Sequence, residues 1–226
     1  MSKSKFENDL TDQIDEGRAF ITLVGMSNTG KSAISSKLAD ELGFTRVCVD
    51  DLIEEELEPV LKKLGYTGLA DMAKWMGQPH DTHSEKNQSI YLRLEEQVME
   101  KIINDLEKRQ PNKNLVIDTT GSVAHLSQTV RFKLKSVSTV VYFKLDQKHT
   151  ENMFQTYLSR PKPIVWGGIY ELNHEYASSQ EALAVYYPKL LEYRARRYSA
   201  MSDVVIPRDL IYEVTAKEFI EILSFA

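Results

Sequence analysis

The stretch Gly25-Met26-Ser27-Asn28-Thr29-Gly30-Lys31-Ser32, GMSNTGKS, stands between the apolar run Ala19 to Val24 (AFITLV) and the segment AISSKLADEL, which has the residue spacing of a helix. It matches G-x-x-x-x-G-K-[ST] at every fixed position. Glycine lets backbone N–H groups turn inward around phosphate oxygens, lysine reaches the β and γ phosphates, and the hydroxyl can hold Mg²⁺. The plain alternative is an ordinary strand-to-helix turn with no ligand. With a strand before it and a helix after it, the pattern reads as a phosphate loop. Its expected nucleotide-binding residues are Gly25, Ser27, Asn28, Thr29, Gly30, Lys31, Ser32 and Ala33. We find no Asn/Thr-Lys-x-Asp element for reading guanine, so the expected nucleotide is ATP.

Outward from this loop, short apolar runs recur between helix-like stretches: RVCV at 46 to 49, LVI at 115 to 117, TVVYFKL at 139 to 145 and DVVIP at 203 to 207. Five such runs predict an α/β fold, a three-layer sandwich with a five-stranded parallel sheet covered by helices on both faces. Ligands of such sheets collect at the carboxyl ends of the strands. Ile90, Leu94, Val98, Ile102 and Leu106, with Met99 and Ile103, predict one apolar face of a long helix, stopped at Pro111 and Asn112. Thr215-Ala216-Lys217-Glu218 has the pattern of a capping box before a final helix. Gly77 to Gln88 (GQPHDTHSEKNQ) and Arg160 to Gly168 (RPKPIVWGG) fit neither rhythm and are expected to be loops.

Composition narrows the function. The chain has 226 residues and 42% hydrophobic content, enough for one sizeable core, so residues 19 to 226 are expected to form a single domain. Lys and Arg number 28 against 33 Asp and Glu, giving −5 with neither sign in a long block. That excludes a basic nucleic-acid arm and a polybasic membrane patch, and points to a small ligand. Cys48 is the single cysteine, so there is no internal disulfide and no multi-cysteine metal site. No apolar run approaches the roughly 20 residues of a membrane span. Residues 1 to 18 are charged throughout and are expected to be a polar extension without a signal peptide. A cytoplasmic protein, monomeric and without nucleic-acid or membrane partners, is the expectation.

Two carboxylates follow predicted strands. Asp50 would stand beside the phosphate loop, where phosphoryl transfer needs a group to orient the acceptor hydroxyl and take its proton. Helix capping is the alternative, and Asp51 with Glu54 is the pair expected to cap the next helix. Asp118 ends LVID in the manner of a carboxylate that holds the magnesium water shell, with Ser32 as its partner; a turn residue bonding its own backbone in DTTGS is the alternative. Gly121 in that turn permits close backbone approach to a ligand. His80, Asp81 and His83 could bind a metal, although polar loops commonly hold such residues.

In this order the parts resemble the shikimate kinase family, a branch of the nucleoside monophosphate kinase-like P-loop proteins. The resemblance runs from about Phe20 to Pro207. It comprises the phosphate loop, LADELGFTRVCVDDLIE, the aromatic-Arg-x-x-Glu helix in IYLRLEEQV, the glycine turn in VIDTTGSV, VVYFKLD, a short lid at about 160 to 168, and LLEYRARRYSAMSDVVIP. It implies transfer of the γ-phosphate of ATP to a hydroxyl of shikimate or a similar hydroxylated acid. Lys31 and Ser32 would hold ATP and Mg²⁺, Asp50 would contact the acceptor hydroxyl, and Gly121 and Arg194 would bind the acceptor. Arg160 would be the lid arginine that reaches over the transferring phosphate, the alternative for it and Lys162 being a solvated face; the solvated reading is the one favoured for Arg196 and Arg197.

Three departures from the family pattern stand out. Leu92 follows Tyr91 where the family has an arginine, and Arg93, one residue on, is turned by about 100° around a helix. The glycine turn reads Thr120-Gly121-Ser122. The span from Asp50 to Tyr91 carries an insertion, placed at about 77 to 90. Another sugar acid or a nucleotide is therefore a competing acceptor. A nucleotide-binding regulator that has altered the transfer is the competing function, although Asp50 has no purpose in a pure binder.

Overall fold

In the computed structural model, which describes residues 5–66, 68–108, 113–159, 164–171 and 178–225, the five apolar runs are strands β1 (Phe20–Val24), β2 (Thr45–Cys48), β3 (Leu115–Asp118), β4 (Thr139–Lys144) and β5 (Val204–Pro207). They pair in the order β2-β3-β1-β4-β5, parallel throughout. Side chains alternate between the two faces of the sheet. Along β4, Val140 and Tyr142 enter one apolar cluster while Val141 and Phe143 enter the other. Over β1, β3 and β4 both faces are covered, which is why these strands read as continuous apolar runs, whereas the edge strand β5 alternates buried and exposed residues.

One face packs on α2 (Lys31–Leu42) and α9 (Ala216–Phe225); the other packs on α3 (Val49–Lys63), α5 (Ser84–Lys108), α6 (Gln128–Val137) and α8 (Ser179–Met201). The three-layer α/β sandwich expected from the sequence is present. The remaining helices are α1 (Lys5–Asp15), α4 (Gly68–Met76) and α7 (Gln147–Ser159). Within the opening residues 1 to 18, expected as a polar extension, α1 buries Leu10 and packs Ile14 against the same cluster as α9. Two apolar positions four apart share one side of a helix, so a mostly charged segment can still dock. Asn114 ties this end to the sheet: its Nδ2 donates to the Ile14 carbonyl at 2.8 Å and its Oδ1 accepts from the Ala19 N–H at 3.0 Å.

The expected loop from Gly77 to Gln88 is shorter than its polarity suggests, because α5 already starts at Ser84. Ser84 and Gln88 are buried and bonded to each other, Nε2 to Oγ at 2.6 Å, so these polar residues form a helical face rather than a loop. Along α5 the row of every fourth apolar residue precesses by about 40° per step. Ile90 and Leu94 accordingly lie at the edge of the core, while Tyr91 and Glu95 point into it. The helix stop at Pro111 and Asn112 lies outside the described residues. Among those described, no helix is long and apolar enough to cross a membrane.

The capping box forms as expected. The Glu218 carboxylate accepts from the Thr215 N–H at 2.7 Å, and Thr215 Oγ1 accepts from the Glu218 N–H at 3.2 Å. Phe219 behind it is fully buried, edge-on to Phe143 with ring centroids 5.8 Å apart. In urea denaturation Thr215→Ala is expected to cost about 1 kcal/mol and Phe219→Ala about 3 to 5 kcal/mol. Equal losses would mean that α9 is held by its cap rather than by its core face.

Candidate functional site

The register of the sheet brings the site together. Leu23 pairs with Asp118, and Asp118 with Cys48, so β1, β3 and β2 end side by side. The chain leaving each strand therefore emerges at one edge: the phosphate loop after Val24, the Thr119 to Ser122 turn after Asp118, and the first turn of α3 after Cys48. These segments, with α4, α7, α8 and residue 164, line a cleft of about 510 Å³.

In the phosphate loop, Gly25 has φ +150° and Gly30 +99°. A Cβ on Gly25 would stand 2.9 Å from the Phe143 carbonyl oxygen, so glycine is required there by space as well as by conformation. Asn28, at φ 63°, takes the left-handed conformation that asparagine tolerates best among side-chain-bearing residues. Gly30 precedes the first turn of α2, whose N-terminal N–H groups open on the cleft. Ser27, Asn28, Gly30, Lys31, Ser32 and Ala33 line it. Gly25 and Thr29 do not. Thr29 is buried with its hydroxyl donating to the Met26 carbonyl at 2.9 Å, so these two shape the loop from behind. Lys31 Nζ donates to the Gly25 and Met26 carbonyls at 3.1 and 3.0 Å, which holds the ammonium across the loop mouth.

Asp50 lines the cleft from the first turn of α3, as expected, and so do Asp51 and Glu54. Asp51 is not the helix cap. The helix begins at Val49 with Cys48 at the capping position, so Asp51 lies inside the first turn, where its carboxylate suits the positive end of the helix. Asp118 is buried and lines the cleft, but its Oδ2 accepts from Arg46 Nη2 at 2.8 Å and lies 3.3 Å from Ser35 Oγ. Its charge is thus shared with a guanidinium. The oxygen-rich set of Ser32, Asp50 and Asp118 fits Mg²⁺, a hard cation that keeps several of its waters and uses few protein ligands.

The turn after β3 rests on a buried polar floor whose hydrogen bonds the sequence did not reveal. Glu95, fully buried on α5, accepts from the Ser122 hydroxyl at 2.6 Å and from that of Thr120, so it grips the turn on both sides of Gly121. Tyr198 donates to the Gly121 carbonyl from α8. Burial pushes the Glu95 carboxyl up to about 7, the two hydroxyl donors oppose that, and the charge of Asp50 adds to it. A carboxylate on the apolar face of a helix, four residues from Tyr91 and from Met99, was the signal for this role.

Arg194 is 6% exposed and reaches the cleft from α8. Nε donates to His125 Nε2 at 3.2 Å and Nη2 to the Val165 carbonyl at 2.7 Å. Nη1 lies 3.4 Å from where a Cβ on Gly121 would be. His125, also unsuspected, is held well below its usual range, at about 3, by burial and then by Arg194, and so stays a neutral acceptor. Leu92 packs against the core and Arg93 is exposed; neither lines the cleft. Arg196 is an exposed partner of Glu192, whereas Arg197 is half-buried over the Tyr193 ring at 4.8 Å; neither lines the cleft.

Arg160 and Lys162 lie outside the described residues. The described end of the expected lid is packed: Val165 and Trp166 are buried, and the Trp166 N–H donates to Gln88 Oε1 at 2.7 Å. The inserted region also reaches α7, where Tyr157 donates to Gln78 Oε1 at 2.6 Å. His80, Asp81 and His83 do not converge as a ligand set, and Asp81 instead accepts from the Gln78 N–H at 2.7 Å. Among the described residues one ligand-sized group does, Asp146, His149 and Asp209, but Arg208 Nη1 sits 2.7 Å from His149 Nε2, where a cation would be repelled.

No protein-family model matches the chain. A shikimate kinase of Persephonella marina is 30% identical over 122 residues, a stretch covering 54% of this chain and 58% of that protein. Shikimate kinases of Bacteroides thetaiotaomicron (TM-score 0.57, 15% identity, 92% of this chain and 97% of that one) and of Acinetobacter baumannii in complex with shikimate (0.55, 19%, 92% of each) share the fold. The chain is thus similar to shikimate kinases and has the P-loop kinase fold.

Burial of Glu95 has a consequence for stability. Its carboxyl titrates near 4.5 in an unfolded chain and near 7 in the folded one, so the folded chain holds an extra proton between these values. The stabilisation is complete below about 4.5 and is lost as the pH rises through 7. His125, lowered from 6.5 to about 3, acts in the opposite sense: its contribution is present above 6.5 and is lost as the pH falls towards 3. Between pH 4.5 and 6.5 the two effects oppose each other, so urea midpoints are expected to be nearly level for the parent and to rise with pH for Glu95→Gln, which leaves only the His125 contribution. Parallel profiles would mean that Glu95 is not titrating in this window.

Proposed function

We propose that this chain is an ATP-dependent small-molecule kinase that transfers the γ-phosphoryl group to an acceptor hydroxyl. What carries the reading is that Asp50 lines the same cleft as the phosphate loop residues Lys31 and Ser32, with Gly121 and Arg194 also lining it. In this mechanism Lys31 and the N-terminal N–H groups of α2 stabilise charge on the phosphates. Asp50 orients the acceptor hydroxyl and takes its proton. The hydroxyl oxygen bonds to the γ-phosphorus in line with the breaking bond to the bridging oxygen, and ADP leaves. Ser32 and Asp118 would hold Mg²⁺, which would supply charge neutralisation for the phosphates. Gly121 and Arg194 would position the acceptor, and Arg160 would cover the transferring group.

Likeness to shikimate kinases makes shikimate, or a similar hydroxylated acid, the acceptor to try first, with EC 2.7.1.71 as the corresponding activity. The competing reading is a nucleotide-binding regulator. Mg-ATP is expected to raise the melting temperature, and Lys31→Ala to abolish the rise. Asp50→Asn should keep the rise and lose 100-fold or more of acceptor-dependent ADP release. An unchanged melting curve in saturating Mg-ATP would sink both readings. Binding without turnover across shikimate, sugar acids, polyols and nucleoside monophosphates would leave the regulator.

A further inference from the structure

The wall of the cleft beyond Asp50 is built mainly from Met72, Met153, Tyr157, Ile164, Tyr187 and Leu190. Tyr157 and Tyr187 stack with ring centroids 5.6 Å apart and planes at 18°. Their positions are braced from outside the cleft. Gln78 holds the Tyr157 hydroxyl, and Phe154 and Trp166 pack on Tyr187 at 5.5 and 6.0 Å. Two thioethers and two braced phenol rings offer a flat ring what it pairs with best, a polarisable sulfur at its edge and an aromatic face.

The charges on this side point the same way. Asp50, Asp51 and Glu54 line the cleft against Lys31 and Arg194, with Asp118 paired to Arg46, and Glu95 lies buried beneath the Gly121 turn. An anionic acceptor meets a surplus of carboxylates among the described residues before any nucleotide has added its own negative charge. Arg194 is also partly committed. With Nε on His125 and Nη2 on the Val165 carbonyl, it cannot present the Nε and Nη2 edge to a carboxylate. Nη1 remains on the cleft side near Gly121, where it can donate to a hydroxyl or carbonyl oxygen of a neutral ligand.

From these features we infer that the acceptor is an uncharged alcohol bearing an aromatic ring. The ring lies between Met72, Met153, Tyr157 and Tyr187, and the hydroxyl lies at Asp50. This rests on the kinase reading and narrows its acceptor away from the hydroxylated acids. In the transfer the alcohol O–H proton passes to Asp50, an oxygen–phosphorus bond forms, and the bond from the γ-phosphorus to ADP breaks, so ATP is the one co-reactant.

The test is ADP release by the full chain with Mg-ATP and matched probes: 3-phenylpropane-1,2-diol against 3-phenyllactate for charge, the same diol against glycerol for the ring, and methyl shikimate against shikimate. The expected result is kcat/KM at least tenfold higher for the phenyl diol than for phenyllactate or glycerol, and higher for the ester than for shikimate. Met153→Ala, at a partly exposed position, is expected to narrow the ratio of diol to glycerol about fivefold. A preference for the acids, or glycerol equal to the diol, overturns the inference. So does silence with all probes while Mg-ATP still stabilises the protein. Loss of that stabilisation itself would instead overturn the kinase reading.

Discussion

The passage of the backbone out of β1 is the constraint on which the cleft depends. β1 is paired on both sides, with β3 and β4, so the chain leaving Val24 has a neighbour at once, and Gly25 turns against the Phe143 carbonyl where no Cβ fits. That turn carries the chain into a loop that shares an edge with the ends of β3 and β2. Everything else that touches the cleft is set relative to it: the first turn of α2, the Asp118 to Ser122 segment, and Asp50 at the start of α3. A loop of the same residues on an edge strand would have no β3 turn beside it to supply Gly121.

The second organising feature is the polar floor. Buried polar groups are costly unless bonded, and here they are bonded in a chain that joins distant elements. Glu95 takes the hydroxyls on either side of Gly121, Tyr198 takes the Gly121 carbonyl, and Arg194 takes His125 and the Val165 carbonyl. The helix α5, the turn after β3, the helix α8 and residues 164 to 168 are thereby held in one arrangement before any ligand arrives. A floor preorganised in this way can position an acceptor without first being ordered by it.

The cleft has two parts that are built separately. The loop residues run between β1 and α2 with Phe143 of β4 behind them, whereas the wall is assembled from α4, α7, α8 and residue 164. Gln78 acts on that wall through the Tyr157 hydroxyl, and Gln88 holds Trp166 behind it.

What the sequence determined by itself is what short-range physics encodes. Runs of Val, Ile and Leu marked the five strands to within about a residue, the glycine and lysine spacing marked the phosphate loop, and Thr215 with Glu218 marked a helix start, because each depends on neighbours a few residues away. Asp50 and Arg194 were legible as cleft residues through their motifs. Only the tertiary structure decided that Ser84 to Gln88 is helical, that Thr29 faces backward, that Asp51 joins the cleft, and that Glu95 and His125 are buried partners of the turn around Gly121 and of Arg194. The reason is separation. Glu95 meets Ser122 across 27 residues, Arg194 meets His125 across 69, and Arg46 meets Asp118 across 72. A polar side chain read alone looks solvated, and only the packing of four elements removes the water and names its partner.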